Sequence, residues 1–167
     1  MIALDELYKG QVIRTLGLHQ PFATLMLRGK SIETRWIMRG KKPPFPKGVY
    51  ALYSTSKSYS EDELRAICGH QYDRAMRDSE GDSSHVHNHL ILVGELDKLV
   101  YVVPSMADET YIEYSERDTH VLVGLVFKNV RRIKPIPFVD EDGRKAGKQG
   151  IGFLSGYHRR QIQIYSI

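Results

Sequence analysis

The sequence predicts an α+β fold built on a curved, mostly antiparallel sheet, and three observations predict it. Four stretches have strand character, and the two longest are rich in Val, Leu and Ile with a glycine inside each. Only two segments carry helical signatures, one short and apolar, the other longer and amphipathic. Over 167 residues the chain is 41% hydrophobic and 26% charged, the balance of one globular domain with a real core.

The elements follow in chain order. "VIRTLGL" reads as the first strand. In "QPFATLMLRG", Pro21 takes a first helical position with His19 or Gln20 ahead of it, and Gly29 is the stop. Phe22, Leu25, Met26 and Gly29 share a face, and Ala23 and Leu27 leave little polar surface elsewhere, so this short helix is expected to be buried against the sheet. "PPFPKG" is an extended basic loop, because its prolines support neither a helix nor a central strand. "GVYALYST" is the next strand. Ser60 with Glu63 forms a capping box, and Leu64, Ile67, Cys68 and Gln71 follow at helical spacing, which predicts a helix from Glu61 to Arg77, weakened by Gly69 and ended by the loop "SEGDSS". "HLILVGELDKLVYVV" and "HVLVGLVFKNVRRI" are the long strands, with Gly94 and Gly124 as bends or bulges of the kind a small closed barrel needs. "YHRRQIQIYSI" reads as a short helix or a last strand, with a terminal strand or irregular segment favoured.

Charge is unevenly spread. The net charge is +4 and the isoelectric point near 9.1. Between Arg28 and Gly48 there are seven cations (Arg28, Lys30, Arg35, Arg39, Lys41, Lys42, Lys47) against one anion, Glu33. A second basic stretch runs from Lys128 to Lys148, while anions gather in Glu61 to Asp82. One positive surface and an acidic partner such as nucleic acid are the expectation. Cys68 is the only cysteine, which excludes an intrachain disulfide, a multi-cysteine zinc site and an iron–sulfur cluster, and it is expected to pack as a small hydrophobe. The N-terminus lacks a basic n-region with a long apolar stretch, and no run reaches the roughly 18 apolar residues of a membrane span, so a cytoplasmic protein without a membrane partner is expected.

Three constellations can carry chemistry. If "SIETRW" is extended, Ser31, Glu33 and Arg35 share one face, with Ile32, Thr34 and Trp36 on the other, core-facing one and Lys30 at the preceding turn. Fixed donors and a fixed acceptor suit a nucleobase edge or a phosphate; a plain surface ion pair is the alternative. "MRGKKPPFPKG" mixes cations with Phe45, as single-strand binders do, or is a solvated loop with Phe45 tucked inward. "HVHNH" would put His85, His87 and His89 on one strand face, but no cysteine or carboxylate stands beside them, so a solvated strand entry and no metal are expected. His19 and Gln20 either cap the helix or touch a ligand.

Taken together, "LGLHQPFATLMLRGKSIETRW" resembles the signature of the ASCH (activating signal cointegrator homology) domain, a PUA-like β-barrel. "GVYALYSTSK", "LILVGELDKLV" and "PIPFVDEDGRKAGKQGIGFL" are similar to later segments of that family, except that Gly152 or Phe153 stands near where an aromatic such as tryptophan is common. The resemblance covers most of the chain and leaves residues 57–89 and 104–119 as insertions. It implies a PUA-like barrel, no cofactor, and a cleft lined by Lys30, Glu33 and Arg35 that takes RNA, another nucleic acid or a modified nucleotide. With the basic positions Arg39, Lys41, Lys42 and Lys57, these form the expected nucleic-acid-binding set. One branch of the family hydrolyses N4-acylcytidine with the motif lysine, a threonine and a glutamate; here Lys30 matches, Glu33 stands in the threonine position, and Glu95 is the candidate glutamate. Other members are linked to ribonuclease activity, for which Lys57 with Tyr53, Ser54 and Ser56 offers the groups. Nucleic-acid binding is therefore the expected function, and a small hydrolase using Lys30, Glu33 and Glu95 the alternative.

Overall fold

A computed structural model describes residues 1–147 and 150–166. Lys148 and Gln149, which belong to the "GKQG" turn and the second basic stretch, lie outside the described residues. The chain runs β1 (Ile2–Ala3), α1 (Leu4–Tyr8), β2 (Ile13–Leu18), α2 (Phe22–Leu25), β3 (Ile32–Met38) and β4 (Gly48–Ser54). It continues with α3 (Glu61–Cys68), α4 (Tyr72–Ser79), β5 (His89–Tyr101), α5 (Ala107–Thr110), β6 (His120–Pro137), β7 (Ile151–Phe153), α6 (Gly156–Gln161) and β8 (Gln163–Ile164). The eight strands form one sheet in the order β1-β8-β6-β5-β4-β2-β7, with β3 on β6. All pairs are antiparallel except β2–β4.

The α+β class and the four strands agree with the sequence reading. The expected closure does not follow: among the described residues β2 and β3 do not pair, and the sheet stays open between them. Curvature comes from β5, whose pairing with β6 shifts register at three places, between Leu90/Leu92, Val93/Glu95 and Leu96/Lys98. Gly94 lies at one of these shifts, as a bulge glycine should. Gly124 has a different reason. It sits in unbroken register between Thr34 and Val100, where an added Cβ would stand 2.7 Å from Ile32 Cγ2 and 2.9 Å from Val100 Cγ2. There the missing side chain lets its neighbours cross over the strand.

The predicted long helix is two. Ser60 and Glu63 make the capping box, each side chain taking the other's backbone N–H at 3.1 Å. The helix then stops at Gly69, whose φ of +53° is unfavourable for a residue with a Cβ and whose Cα faces the Glu113 side chain. A short 3₁₀ turn (Gly69–Gln71) leads into α4. The C-terminus forms α6 before its last strand, rather than a strand or irregular segment alone; Ser155 Oγ caps α6 by accepting the His158 N–H at 3.2 Å.

The segments 57–89 and 104–119 pack together over α2. Phe22 and Leu25 of α2 share a buried cluster with Leu64, Cys68, Ala75, Tyr111 and Ile112. Cys68 is fully buried, as expected of a small hydrophobe, and burial pushes its thiol up to about 11. Gln20 joins this layer to the helix: its Oε1 accepts the Thr24 N–H at 3.0 Å, capping α2, and its amide donates to the Ser84 and Val86 carbonyls, both at 3.0 Å. Asp82 fixes the loop after α4 through paired bonds from Arg132 at 2.8 and 2.9 Å, which hold its carboxyl far below the usual range. Among the described residues no helix is long and apolar enough to cross a membrane.

Candidate nucleic-acid interface

The open seam between β2 and β3 is where the motif residues converge. β2 pairs with β7 only through Arg14, Thr15 and Leu16, so the next residue, Gly17, has a carbonyl that strand pairing leaves over. Arg35 reaches it from β3: its Nη2 donates to Gly17 O at 2.7 Å and to Glu33 Oε2 at 3.0 Å. One guanidinium thus spans the gap that hydrogen-bonded strands leave. Gly17 is required at this point, since an added Cβ would stand 2.7 Å from the Tyr53 ring.

Lys30 lies under the seam rather than in it. Gly29, at φ +114°, turns the chain after α2 so that the lysine folds back beneath the helix. Its ammonium donates to Glu33 Oε1 at 2.6 Å and to Ile32 O at 2.7 Å, and the residue is only 2% exposed. Burial pulls the Lys30 ammonium below its ordinary range, opposed by Glu33. Burial alone would push the Glu33 carboxyl up, but the charges of Lys30 and Arg35 overcome it and hold Glu33 below the usual carboxylate range. Ile32 is buried, as expected of the core-facing side of β3, but Glu33 is buried with it, both at 7% exposed, and Arg35 is the member of the set that meets solvent.

The groove beside Arg35 has a volume of about 850 Å³. Arg35, Lys57 and Lys145 bring cations to it, His19, Thr55 and Ser56 polar groups, and Tyr53 and Phe45 rings. No carboxylate lines it among the described residues. Lys145 Nζ donates to Ser56 Oγ at 3.1 Å, and Lys57 pairs at 3.3 Å with Glu63 while lying 5.2 Å from the Tyr59 ring. His19 bonds through Nδ1 to Thr55 Oγ1, and burial followed by the Arg35 charge lowers its pKa, which favours the neutral ring.

The remaining candidates disperse. Glu95 pairs with Lys128 on β6, three residues beyond Leu125, the partner of Glu33, and across β6 from β3. Its carboxylate accepts from Asn129 Nδ2 at 2.6 Å, so the set Lys30, Glu33 and Glu95 is not assembled. Arg39 donates to the carbonyls of Arg117 and Asp118 at 3.1 and 3.0 Å, and with Lys41 it lines a different cavity of about 550 Å³. Lys42 is exposed on the loop, whereas Phe45 is partly buried against the core and still lines the groove. Ser54 is fully buried, exchanging bonds with the His89 backbone. His87 Nδ1 meets Thr55 O at 3.0 Å and His89 Nδ1 meets His87 O at 2.7 Å, and among the described residues no group of His, Cys, Asp or Glu is placed to hold a metal ion. Sequence reasoning missed Gly17, Thr55 and Lys145. Gly17 had a signal, a glycine inside a strand, which marks close backbone approach.

No family model matches the sequence, and no curated protein matches it either. Solved structures do match. A tyrosine-to-phenylalanine mutant of the ASCH protein from Zymomonas mobilis superposes with a TM-score of 0.52 at 12% identity, over 90% of this chain and 96% of that one. The unmutated ASCH protein from Zymomonas mobilis gives 0.52 at 14% identity, over 89% and 91%. The fold is that of an ASCH domain. Within this fold, the short helix and the strand after it bring Arg35 to the seam beside the groove, with Glu33 paired to it and Lys30 buried beneath.

Proposed function

We propose that this chain binds single-stranded RNA in the groove beside Arg35. The observation that carries the reading is the lining: Arg35, Lys57 and Lys145 with Thr55 and Ser56, next to the rings of Phe45 and Tyr53, and no carboxylate among the described residues. Cations follow a phosphate backbone, hydroxyls donate to its oxygens, and ring faces accept bases whatever their identity. The ASCH resemblance supports RNA as the polymer. Arg35 contributes through the part of its guanidinium not engaged by Gly17 and Glu33, and Lys30 supports Glu33 from below without touching the ligand.

Fluorescence anisotropy with a short labelled RNA, at several salt concentrations, tests this. Binding should weaken with salt, and the log–log slope should fall by about 0.7 for each phosphate contact removed, as in Lys57→Ala or Lys145→Ala. Lys42→Ala, on the exposed loop outside the groove, serves as the control. Equal losses from Lys42→Ala and Lys145→Ala would sink the groove as the binding site.

RNA cleavage is the second reading, favoured by one arrangement: Tyr53, Ser56, Lys57 and a neutral His19 line the same groove, so a base, donors and a phosphate site coincide. Mass analysis of the RNA recovered from the binding reactions separates the two. Shortened products that vanish in His19→Ala would make the groove catalytic; intact RNA would leave a binding module.

A further inference from the structure

The later part of β5 has an open edge. β5 pairs with β6 through to Tyr101, but β4 begins at Gly48, opposite Leu96, so no strand among the described residues flanks β5 on that side from Asp97 onward. The cause is local. The residues ahead of β4 include Pro43, Pro44 and Pro46, which have no N–H to give a ladder and cannot carry β4 back along β5. Val102 N–H donates to Leu122 O at 3.0 Å, which turns the backbone of Val100 and Val102 toward β6 and, by the alternation of an antiparallel ladder, that of Leu99, Tyr101 and Val103 toward the open edge. Of these groups Val103 O accepts the Met106 N–H at 2.9 Å, and the others meet no strand among the described residues.

The same stretch borders the cavity of about 550 Å³ that Arg39 and Lys41 line. Ile37, Val121 and Val123 form its apolar floor on the sheet face, and Tyr101 and Val103 stand at its rim, 73% and 44% exposed. An open edge beside a pocket on one face of the sheet is the geometry that takes an extended peptide: main-chain bonds hold the added strand, and the pocket receives alternate side chains. Charge selects the partner. Arg39 and Lys41 at the pocket, with the exposed Lys98 on the edge strand, stand against one lining carboxylate, Glu116, and Asp97 is already paired with Lys128 at 3.2 Å. A second copy of this chain would bring its own Lys98 to the same edge, like charge toward like, whereas an acidic segment is drawn in.

We propose that the β5 edge from Leu99 to Val103 docks an extended acidic segment of a partner protein, which adds a strand to the sheet, places an apolar side chain in the pocket and turns its carboxylates toward Arg39, Lys41 and Lys98. The proposal stands apart from the RNA reading, because no residue lines both this cavity and the groove beside Arg35. RNA would gain cation contacts at this face but has no ladder of its own to match backbone N–H and C=O groups spaced for a strand. A protein partner and a nucleic acid can therefore be held at the same time, on separate surfaces.

The probe is a short labelled peptide with a central phenylalanine between valines and glutamates at both ends, titrated against the whole chain by fluorescence anisotropy. It should bind saturably, and amide exchange followed by NMR should slow at Leu99 and Tyr101, which in the free chain exchange faster than Val100 and Val102. Of two versions of the peptide N-methylated at alternate residues in opposite phase, one should bind at least about tenfold more weakly, because it loses the ladder bonds. Lysines in place of the glutamates should weaken binding by about the same factor. Val103→Glu, at the exposed rim, should weaken peptide binding about tenfold and leave RNA affinity within about twofold, and Lys145→Ala should leave peptide binding within about twofold. Absence of saturable binding overturns the proposal, as does equal binding of the parent and both N-methylated peptides. Displacement of the peptide by RNA also overturns it, by making this face part of the nucleic-acid site. A dimer in sedimentation that Val103→Glu dissociates does the same, by making the occupant a second copy.

Discussion

The cations Lys30 and Arg35 and those of residues 39–47 are close in the chain and opposite in state. Lys30 is sealed under α2 with Glu33, and Arg35 is fastened to Gly17 and Glu33 with part of its guanidinium in the groove. Lys41, Lys42 and Lys47 are exposed on an extended, proline-stiffened loop, and the Arg39 guanidinium donates to two backbone carbonyls. The first group determines where the seam is and what shape it has. The second adds field to the surface, which salt screens. A count of charges treats the two alike; burial separates them.

The largest effect should come from breaking the buried set at its centre. Glu33→Ala leaves the Lys30 ammonium with a backbone carbonyl as its only oxygen partner, an uncompensated charge that costs about 3–5 kcal/mol, or a fall of roughly 6–20 °C in melting temperature for a chain of this size. Lys30→Ala should cost less, because Arg35 still pairs with Glu33 at 3.0 Å. The double variant Lys30→Ala/Glu33→Ala should melt above Glu33→Ala alone, since it removes the stranded charge with its partner. Thermal melts of the three variants check the order, and a Glu33→Ala protein as stable as wild type would place Lys30 in solvent after all.

An intermediate effect tests the seam itself. Gly17→Ala puts a methyl group 2.7 Å from the Tyr53 ring, which must shift, at a cost of about 1–3 kcal/mol. The same shift disturbs the groove that Tyr53 lines and the carbonyl that anchors Arg35. RNA affinity should therefore drop along with the melting temperature. Lys42→Ala, in the other cation group, should change stability by no more than about 0.5 kcal/mol.

The sequence made the strands legible because apolar periodicity and turn residues are local, and it made Lys30, Glu33 and Arg35 legible because they share a short motif. What it could not carry were facts set by distant contacts. That Glu33 is buried as well as Ile32 depends on α2 and Lys30 closing over the strand. Gly69 was a visible weak point of the long helix, but that the chain turns there at φ +53°, with the Glu113 side chain from a distant segment packed against it, was not. Among the described residues β2 and β3 stay unpaired and an arginine side chain spans the gap between them, a long-range bond that no strand pattern announces. Lys145 reaches the groove through a loop whose approach to Ser56 has no local signature.

The smallest effect concerns His19, which lines the groove beside Arg35. Burial and Arg35 lower its pKa in the folded state, so below about pH 6.5 the unfolded chain binds more protons at this site than the folded chain does. Stability from His19 is therefore complete above the ordinary imidazole range and declines as pH falls through it. Glu33 has the same sign at lower pH: its depressed carboxyl stabilises the fold above about pH 4.3, and that stabilisation is lost only as pH falls toward its folded value. The two contributions separate by window. Between pH 7 and pH 5.5 the melting temperature of the wild-type chain should decline slightly more than that of His19→Gln, which cannot titrate, while below pH 4.5 the two should decline in parallel. Identical curves across the upper window would mean that the imidazole is as solvated in the fold as in the open chain, and the groove would lose its dry wall at His19.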